Sequence, residues 1–423
     1  MPEVIADDVL THWAEFDQDV ADDPYPLYAR VRDGALVRRV LLGDGRPAWL
    51  ICGYEEARRA LTDPRLSKDL RRVEATRGGI VPPGLLHPLT AYHMLSSDPP
   101  AHTRLRQLAG HAFTPSRMEA LRPRVQAITD GLLDAMEGQE RVDLVTSFAF
   151  PLPITVICEL LGVPVVDRDR LRAWFHDALA SPVAPANDPP AWAAADRLGE
   201  YLRDLVAAKR AEPTEDLFGL LAAGGHGDGS DDGDRLDEDE LLSTAWLLVL
   251  AGHETTVNLI ANGMTALLRH PDQLARLRGD LSLVPSAVEE FLRYDAPVQH
   301  ATFRVTTVPV EIGGVEIPAL EQVLVVLAAA DRDPSRFACP DSLDVGREDN
   351  RHLAFGHGIH FCLGAPLARL EGQIAFTSLL RRFPDMALAV APEELHWKYR
   401  LVLRAMIELP VLLRGQSGPT STL

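Results

Sequence analysis

The run Phe355-Gly356-His357-Gly358-Ile359-His360-Phe361-Cys362-Leu363-Gly364 sets one thiol between glycines and leads into a helix-forming segment. Glycines relieve backbone crowding, so such a peptide can lie flat against a large planar ligand while its amide N–H groups point at sulfur and favour the anion. A haem iron fits that description, and thiolate ligation pushes electron density onto iron and favours O–O cleavage. A zinc reading through His357, His360 and Cys362 stays open on these residues alone, although their spacing offers three ligands and no neighbouring cluster to close the site.

The whole chain is consistent with one large folded unit. Its 423 residues, 46% hydrophobic and 24% charged, can bury a large core, and no linker divides them cleanly. A single domain is expected over residues 1–415, followed by a Gly/Ser/Thr tail at 416–423 that reads as disordered. Cys52, Cys158, Cys339 and Cys362 show no paired spacing, so a reducing, cytoplasmic location is expected rather than a disulfide framework. The longest apolar run, 246–252, is too short to span a bilayer, and no membrane association is expected. A formal net charge of −19 opposes nonspecific nucleic-acid binding.

Helical patterns dominate. They cover residues 23–32, 54–62, 103–113, 116–136, 154–161, 167–179, 190–210, 236–270, 282–294 and 365–382. Extended segments are expected at 47–52, 298–305, 308–317 and 322–329, with strand-like pieces over 386–413. Residues 65–95 read as irregular, a length of loop that often covers a ligand. The Pro-rich segment 181–190 cannot be a regular helix and reads as a lid, and the acidic Gly/Asp run 224–234 reads as a solvated loop.

The longest helical pattern carries Ala251-Gly252-His253-Glu254-Thr255-Thr256 inside apolar surroundings. Burying a carboxylate or hydroxyl without partners costs about 1–3 kcal/mol or more, so this polar cluster implies a ligand, water or a hydrogen-bond network. Gly252 lowers the side-chain wall, and Thr255 can bond back to the carbonyl of Ala251. Glu290 and Arg293, three apart, are neighbours on one helical face ahead of the cysteine loop.

Together these stretches resemble the cytochromes P450. Phe-x-x-Gly-x-His-x-Cys-x-Gly is similar to the family's haem-binding signature, Ala-Gly-x-Glu-Thr-Thr to its oxygen-activation motif and Glu290/Arg293 to its ExxR pair. The resemblance extends from Asp23-Pro24-Tyr25-Pro26 to the C-terminal strands. It implies a mainly α fold with a small β region, the triangular haem-thiolate prism. It implies haem b bound through Cys362, with Thr255 and Glu254 steadying oxygen and feeding protons for O–O cleavage, and Glu290 with Arg293 supporting the cysteine loop. By the same resemblance His102, Arg106, Arg304 and His360 meet the haem propionates. The chain departs from the family at Ser342, where Arg or His is common, and Arg347 is a candidate substitute.

The implied reaction is monooxygenation with O2. No dinucleotide fingerprint or cluster-forming cysteine spacing is present, so electrons are expected from a ferredoxin and an NAD(P)H-dependent ferredoxin reductase. A haem-thiolate sensor and a peroxide-driven peroxygenase are the alternatives. Residues 352–362, the segment after Thr256 and Pro151-Leu152-Pro153-Ile154-Thr155-Val156-Ile157 resemble actinobacterial members that tailor macrolide antibiotics. That implies hydroxylation or epoxidation of a macrolactone or other polyketide. Met94, Leu248, Ala251, Val298, Gln299, His300 and Met406 are the expected substrate contacts. Amino-sugar-binding relatives carry an acidic residue before the Asp-Pro-Pro turn, whereas Tyr92-His93-Met94-Leu95-Ser96-Ser97 has none.

Overall fold

A computed structural model describes residues 18–413 apart from 43–45, 78–90, 111–112, 169, 172, 175–188, 213, 215, 223–235 and 399–400. Residues 181–188 of the expected lid, the acidic run 224–234, residues 175–179 of the helix expected over 167–179 and the tail at 416–423 lie outside the described residues.

Five helices position the site: α1 (Ala101–Gly110), α2 (Pro151–Leu160), α3 (Glu238–Arg269), α4 (Val284–Tyr294) and α5 (Ala365–Arg382). The α3 helix starts at a capping box. Asp237 accepts from the Glu240 amide at 2.8 Å while the Glu240 carboxylate accepts from the Asp237 amide at 3.1 Å. Acidic residues fill its first turn and Arg269 closes its last, which suits the helix dipole at both ends. Every residue from Thr256 to Leu267 is buried, as an apolar helix enclosed by neighbours requires. The neighbours are α2, α4 and α5. At one crossing the rings of Phe291 on α4 and Phe376 on α5 lie 4.7 Å apart.

The main sheet has β1 (Val37–Leu41), β2 (Pro47–Ile51), β3 (Leu66–Ser67), β4 (Arg304–Thr306) and β5 (Gln322–Val325) in the order β1-β2-β5-β4-β3. The β1/β2 pair is antiparallel with Val37 opposite Ile51, and β2 runs parallel to β5 with Leu50 opposite Leu324. Antiparallel pairing of β5 with β4 and of β4 with β3 completes it. The sheet therefore brings Lys68, at the end of β3, beside Arg304, at the start of β4. Three smaller sheets use short strands near residues 141–143, 310–317 and 387–412. The architecture is mainly α with a small β region.

Local boundaries depart from the sequence reading for identifiable reasons. Residues 116–136 split at Leu121 into Pro115–Ala120 and Arg122–Met136, with Pro123 in the first turn of the second helix, where no intrahelical N–H is needed. Pro271 does end α3, but it also starts a further helix, Pro271–Gly279. The extended segment expected at 298–305 forms a regular strand only at its end, and 322–329 turns helical after Val325, over Leu327–Ala330. Within 65–95, Leu70–Arg77 is helical. Among the described residues no helix is long and apolar enough to cross a membrane.

Candidate active site

The cysteine loop is set by its glycines. Gly356 and Gly358 take φ of +71° and +76°, and a Cβ on Gly358 would meet Thr62 Cγ2 at 2.9 Å and the Leu61 carbonyl at 3.0 Å. The loop thus rests against the helix Tyr54–Thr62 with no room for a side chain there. The Cys362 amide donates to the Phe355 carbonyl at 2.9 Å. Burial pushes the Cys362 thiol up, opposed by the Gly364 and Ala365 amides aimed at sulfur and by the charges of Arg106 and Arg369. Those donors and cations suit a thiolate whose proton has been replaced by a metal ion.

Across from sulfur, α3 passes with Thr255, whose Oγ1 donates to the Ala251 carbonyl at 2.7 Å, the back-bond expected from the sequence. Glu254 is half-buried beside it. The Gly252 Cα lets α2 approach closely: a Cβ would stand 3.0 Å from Ile157 Cδ1. His253 turns away and meets the Phe150 ring edge-on at 4.4 Å. One cavity joins Cys362 and its loop to Leu248, Ala251 and Thr255 of α3, and to Met94 and Val298.

At one edge of this cavity the protein gathers positive charge. Lys68 and Arg304 are 3% and 4% exposed, and among the described residues Asp98 is the carboxylate that acts on both and also accepts from the Lys68 amide at 3.0 Å. Burial lowers Lys68, with repulsion from Arg304, and brings Arg304 down to about 10. Arg106 donates to the Phe361 carbonyl at 2.7 Å, and the His102 and His360 rings lie 4.4 Å apart. Burial, followed by the charges of Lys68, His102, Arg304 and Arg106, pushes His360 down to about 2. A buried surplus of cations requires anions. The two propionates of a haem whose iron faces Cys362 answer both demands, so the residues fit the cofactor. Zinc has no such claim, since no group of three or more His, Cys, Asp or Glu able to hold a metal ion occurs among the described residues.

The Glu290–Arg293 pair is not an exposed surface bridge. Both side chains are fully buried, and Arg293 binds the carboxylate through two bonds of 2.8 Å. Arg293 also donates to the carbonyls of Asp331, Pro340 and Ser342. The open third place is taken by Arg347, whose Nε donates to Glu290 at 3.0 Å, with Asn350 Nδ2 and the Asp344 amide completing the shell. Ser342 contributes only its carbonyl to this network.

Of the expected substrate contacts, Met94, Leu248, Ala251 and Val298 line the cavity, whereas Gln299, His300 and Met406 do not. Gln299 is buried and accepts from the Tyr28 hydroxyl at 2.7 Å, and the His300 ring packs edge-on against Tyr28 at 5.9 Å. Met406 receives the Thr265 hydroxyl on sulfur at 2.9 Å, ten residues or about 15 Å along α3 from Thr255. The sequence reading did not place Lys68 in this cation cluster. It belongs to no motif, and only the β3/β4 pairing places it beside Arg304.

The comparisons with known proteins agree with this geometry. The cytochrome P450 family model matches residues 194–388. The cytochrome P450 monooxygenase PikC of Streptomyces venezuelae is 50% identical over 399 residues, covering 94% of this chain and 92% of that protein. The 6-deoxyerythronolide B hydroxylase of Saccharopolyspora erythraea is 44% identical over 398 residues, covering 93% and 96%. The solved structure of the tirandamycin C-bound P450 monooxygenase TamI superposes with a TM-score of 0.85 at 47% identity, covering 94% of this chain and 99% of that one. Fold, cysteine loop, cation-lined edge and relatives agree: the chain belongs to the cytochrome P450 family and is a haem-thiolate monooxygenase.

Proposed function

We propose that this enzyme hydroxylates a neutral, largely apolar polyketide such as a macrolactone in secondary-metabolite biosynthesis. The observation that carries the reading is the cavity wall. Among the described lining residues there is no Asp or Glu, and the charged Lys68, Arg106 and Arg304 gather at one edge, where they fit the haem propionates. The remaining wall, including Met94, Leu248, Ala251 and Val298, offers an apolar surface and no anion for an amino sugar. The polyketide biosynthesis cytochrome P450 PksS of Bacillus subtilis, a further relative, lends the polyketide class by its name.

When bound, haem supplies reductive activation of O2 and transfer of one oxygen atom to substrate, the other leaving as water. The chain's own residues hold and shape the site around it. Thr255, tied to Ala251, presents its hydroxyl at the face of α3 that opens to the cavity, where it can hold a water. Glu254 beside it supplies a carboxylate to pass protons. Electrons are supplied by a ferredoxin and an NAD(P)H-dependent ferredoxin reductase, docking near exposed Ile359 and Phe361 of the cysteine loop in the cytoplasm.

The test titrates the ferric holoenzyme with paired macrolides, each as aglycone and as its amino-sugar glycoside, reading the substrate-induced spin shift and product mass. Tighter binding and an added oxygen with the aglycones support the reading. Preference for the cationic glycosides across the pairs overturns the neutral-substrate assignment. Cys362→Ser, which removes the thiolate Soret band of the reduced CO complex, serves as the control for ligation.

A further inference from the structure

Adjacent residues of α4 serve different structures. Glu290 holds the buried Arg293–Arg347 network, whereas Glu289 turns toward the cysteine loop. There it receives Arg369 of α5 through two bonds, Nε to Oε1 at 2.7 Å and Nη2 to Oε2 at 2.8 Å. His352 Nε2 meets the same carboxylate at 3.1 Å. The Ala354 amide donates to His352 Nδ1 at 3.2 Å, which leaves Nε2 as the ring nitrogen that donates to Glu289. Although burial raises it, the bonds from Arg369 and His352 prevail and hold the Glu289 carboxyl down to about 2. Glu289 is therefore an anion at every working pH.

Arg369 is thereby held over the face of Phe355, with its guanidinium carbon 4.6 Å from the ring centre. Phe355 is the residue whose carbonyl accepts from the Cys362 amide at 2.9 Å, so the guanidinium held over its ring places a positive charge against the residue that anchors the cysteine. Arg106 brings a second cation to the same loop through the Phe361 carbonyl.

We infer that Glu289 and Arg369 form a compensated charge pair that sets the iron reduction potential, with Glu289 as the positioning residue and Arg369 as the cation felt by the thiolate. Adding an electron to the site is favoured by nearby positive charge and opposed by negative charge. The pair's two halves pull the potential in opposite directions, and the bidentate geometry fixes their balance. His352 fixes the second oxygen of Glu289 and keeps the carboxylate from following Arg369 toward solvent.

The experiment is a redox titration of purified, haem-loaded protein, without a redox partner or substrate, comparing E289Q, R369Q and the double variant with the parent. The ferrous CO spectrum is recorded for each to verify thiolate ligation. E289Q is expected to shift the midpoint potential positive and R369Q negative, with the double variant between the two. R369K, which keeps the charge, is expected nearer the parent than R369Q. Shifts of the same sign in E289Q and R369Q, or unchanged potentials with intact thiolate spectra, overturn the inference. If E289Q fails to take up haem, R369K against R369Q decides: equal potentials in those two remove the charge effect and the inference with it.

Discussion

Arg347 replaces the family's usual third partner of the ExxR pair, and its removal tests that substitution. In the parent, Arg347 Nε donates to Glu290 at 3.0 Å, and its terminal nitrogens reach the carbonyls of Ala338 at 2.9 Å and Ser342 at 3.2 Å. A charge-assisted bond to a buried carboxylate contributes about 1.5–3 kcal/mol, and each carbonyl bond about 0.5–1.5 kcal/mol. Against this, Glu290 keeps Arg293, Asn350 and the Asp344 amide, so the carboxylate is not stranded and the cost stays below that of breaking an isolated buried pair. Arg347→Ala is therefore expected to destabilise the haem-loaded fold by about 3 kcal/mol, roughly a hundredfold in the folded ratio. Arg347→Lys retains one charge without the planar fork and should recover only part of this. The assay is urea unfolding of holoenzyme, followed by helical signal and by the thiolate Soret band in parallel. A loss under about 0.5 kcal/mol, the range of an ordinary surface substitution, refutes the assignment of Arg347 to the network.

Thr255→Ala removes the hydroxyl bonded to Ala251 and should divert electrons to peroxide, with product per NAD(P)H falling by about tenfold or more; Thr255→Ser should restore much of it, and product and peroxide yields decide. Gly263→Ala places a Cβ 2.5 Å from Phe376 Cζ and 3.0 Å from Phe291 Cδ2, so overpacking of about 1–3 kcal/mol should outweigh the gain of about 1 kcal/mol in helix propensity, and the urea midpoint should fall. Glu371 is pushed up to about 8 by burial, and among the described residues neither carboxylate oxygen has a hydrogen-bond partner. The unfolded chain ionises this group near pH ~4.3 while the native one keeps its proton, so stability should fall as pH rises from about 4.5 to 8, by at most about 1.4 kcal/mol per unit, and level off above. Glu371→Gln should flatten that slope, as unfolding midpoints at low and high pH in the window will reveal.

The site was legible where chemistry is written in contiguous residues. The cysteine loop, the Ala251–Thr256 stretch and the Glu290/Arg293 spacing each need particular side chains at fixed offsets on one element, and the structure brings all three around one cavity or its support. Helix α5 was legible to the residue because an apolar pattern follows the loop and ends in two arginines. Positions fixed by tertiary pairing were not legible. Lys68 reaches the cation-lined edge only through the register of β3 against β4, whereas Arg347 was a candidate from the departure at Ser342 and only its bond to Glu290, across 57 residues, needed the tertiary structure. Gln299, His300 and Met406 lie outside the cavity lining, since apolar or extended character does not say which side of a chain faces the cavity. Tyr28 claims Gln299, and Thr265 claims Met406.

The neighbouring carboxylates of α4 show why a motif carries only part of such a site. Successive residues on a helix point about 100° apart. Glu290 is therefore committed inward to Arg293 and Arg347, and Glu289 reaches sideways to Arg369 and His352. One helix end thus secures the backbone of the segment leading to Cys362 and the Arg369 charge held over Phe355 of its loop. A substitution on α4 that displaces its axis acts on both, whereas one confined to Glu289 acts on charge with the buried network intact. Stability and potential separate at this helix because two adjacent side chains divide the contacts, and the ExxR spacing records only the first of them.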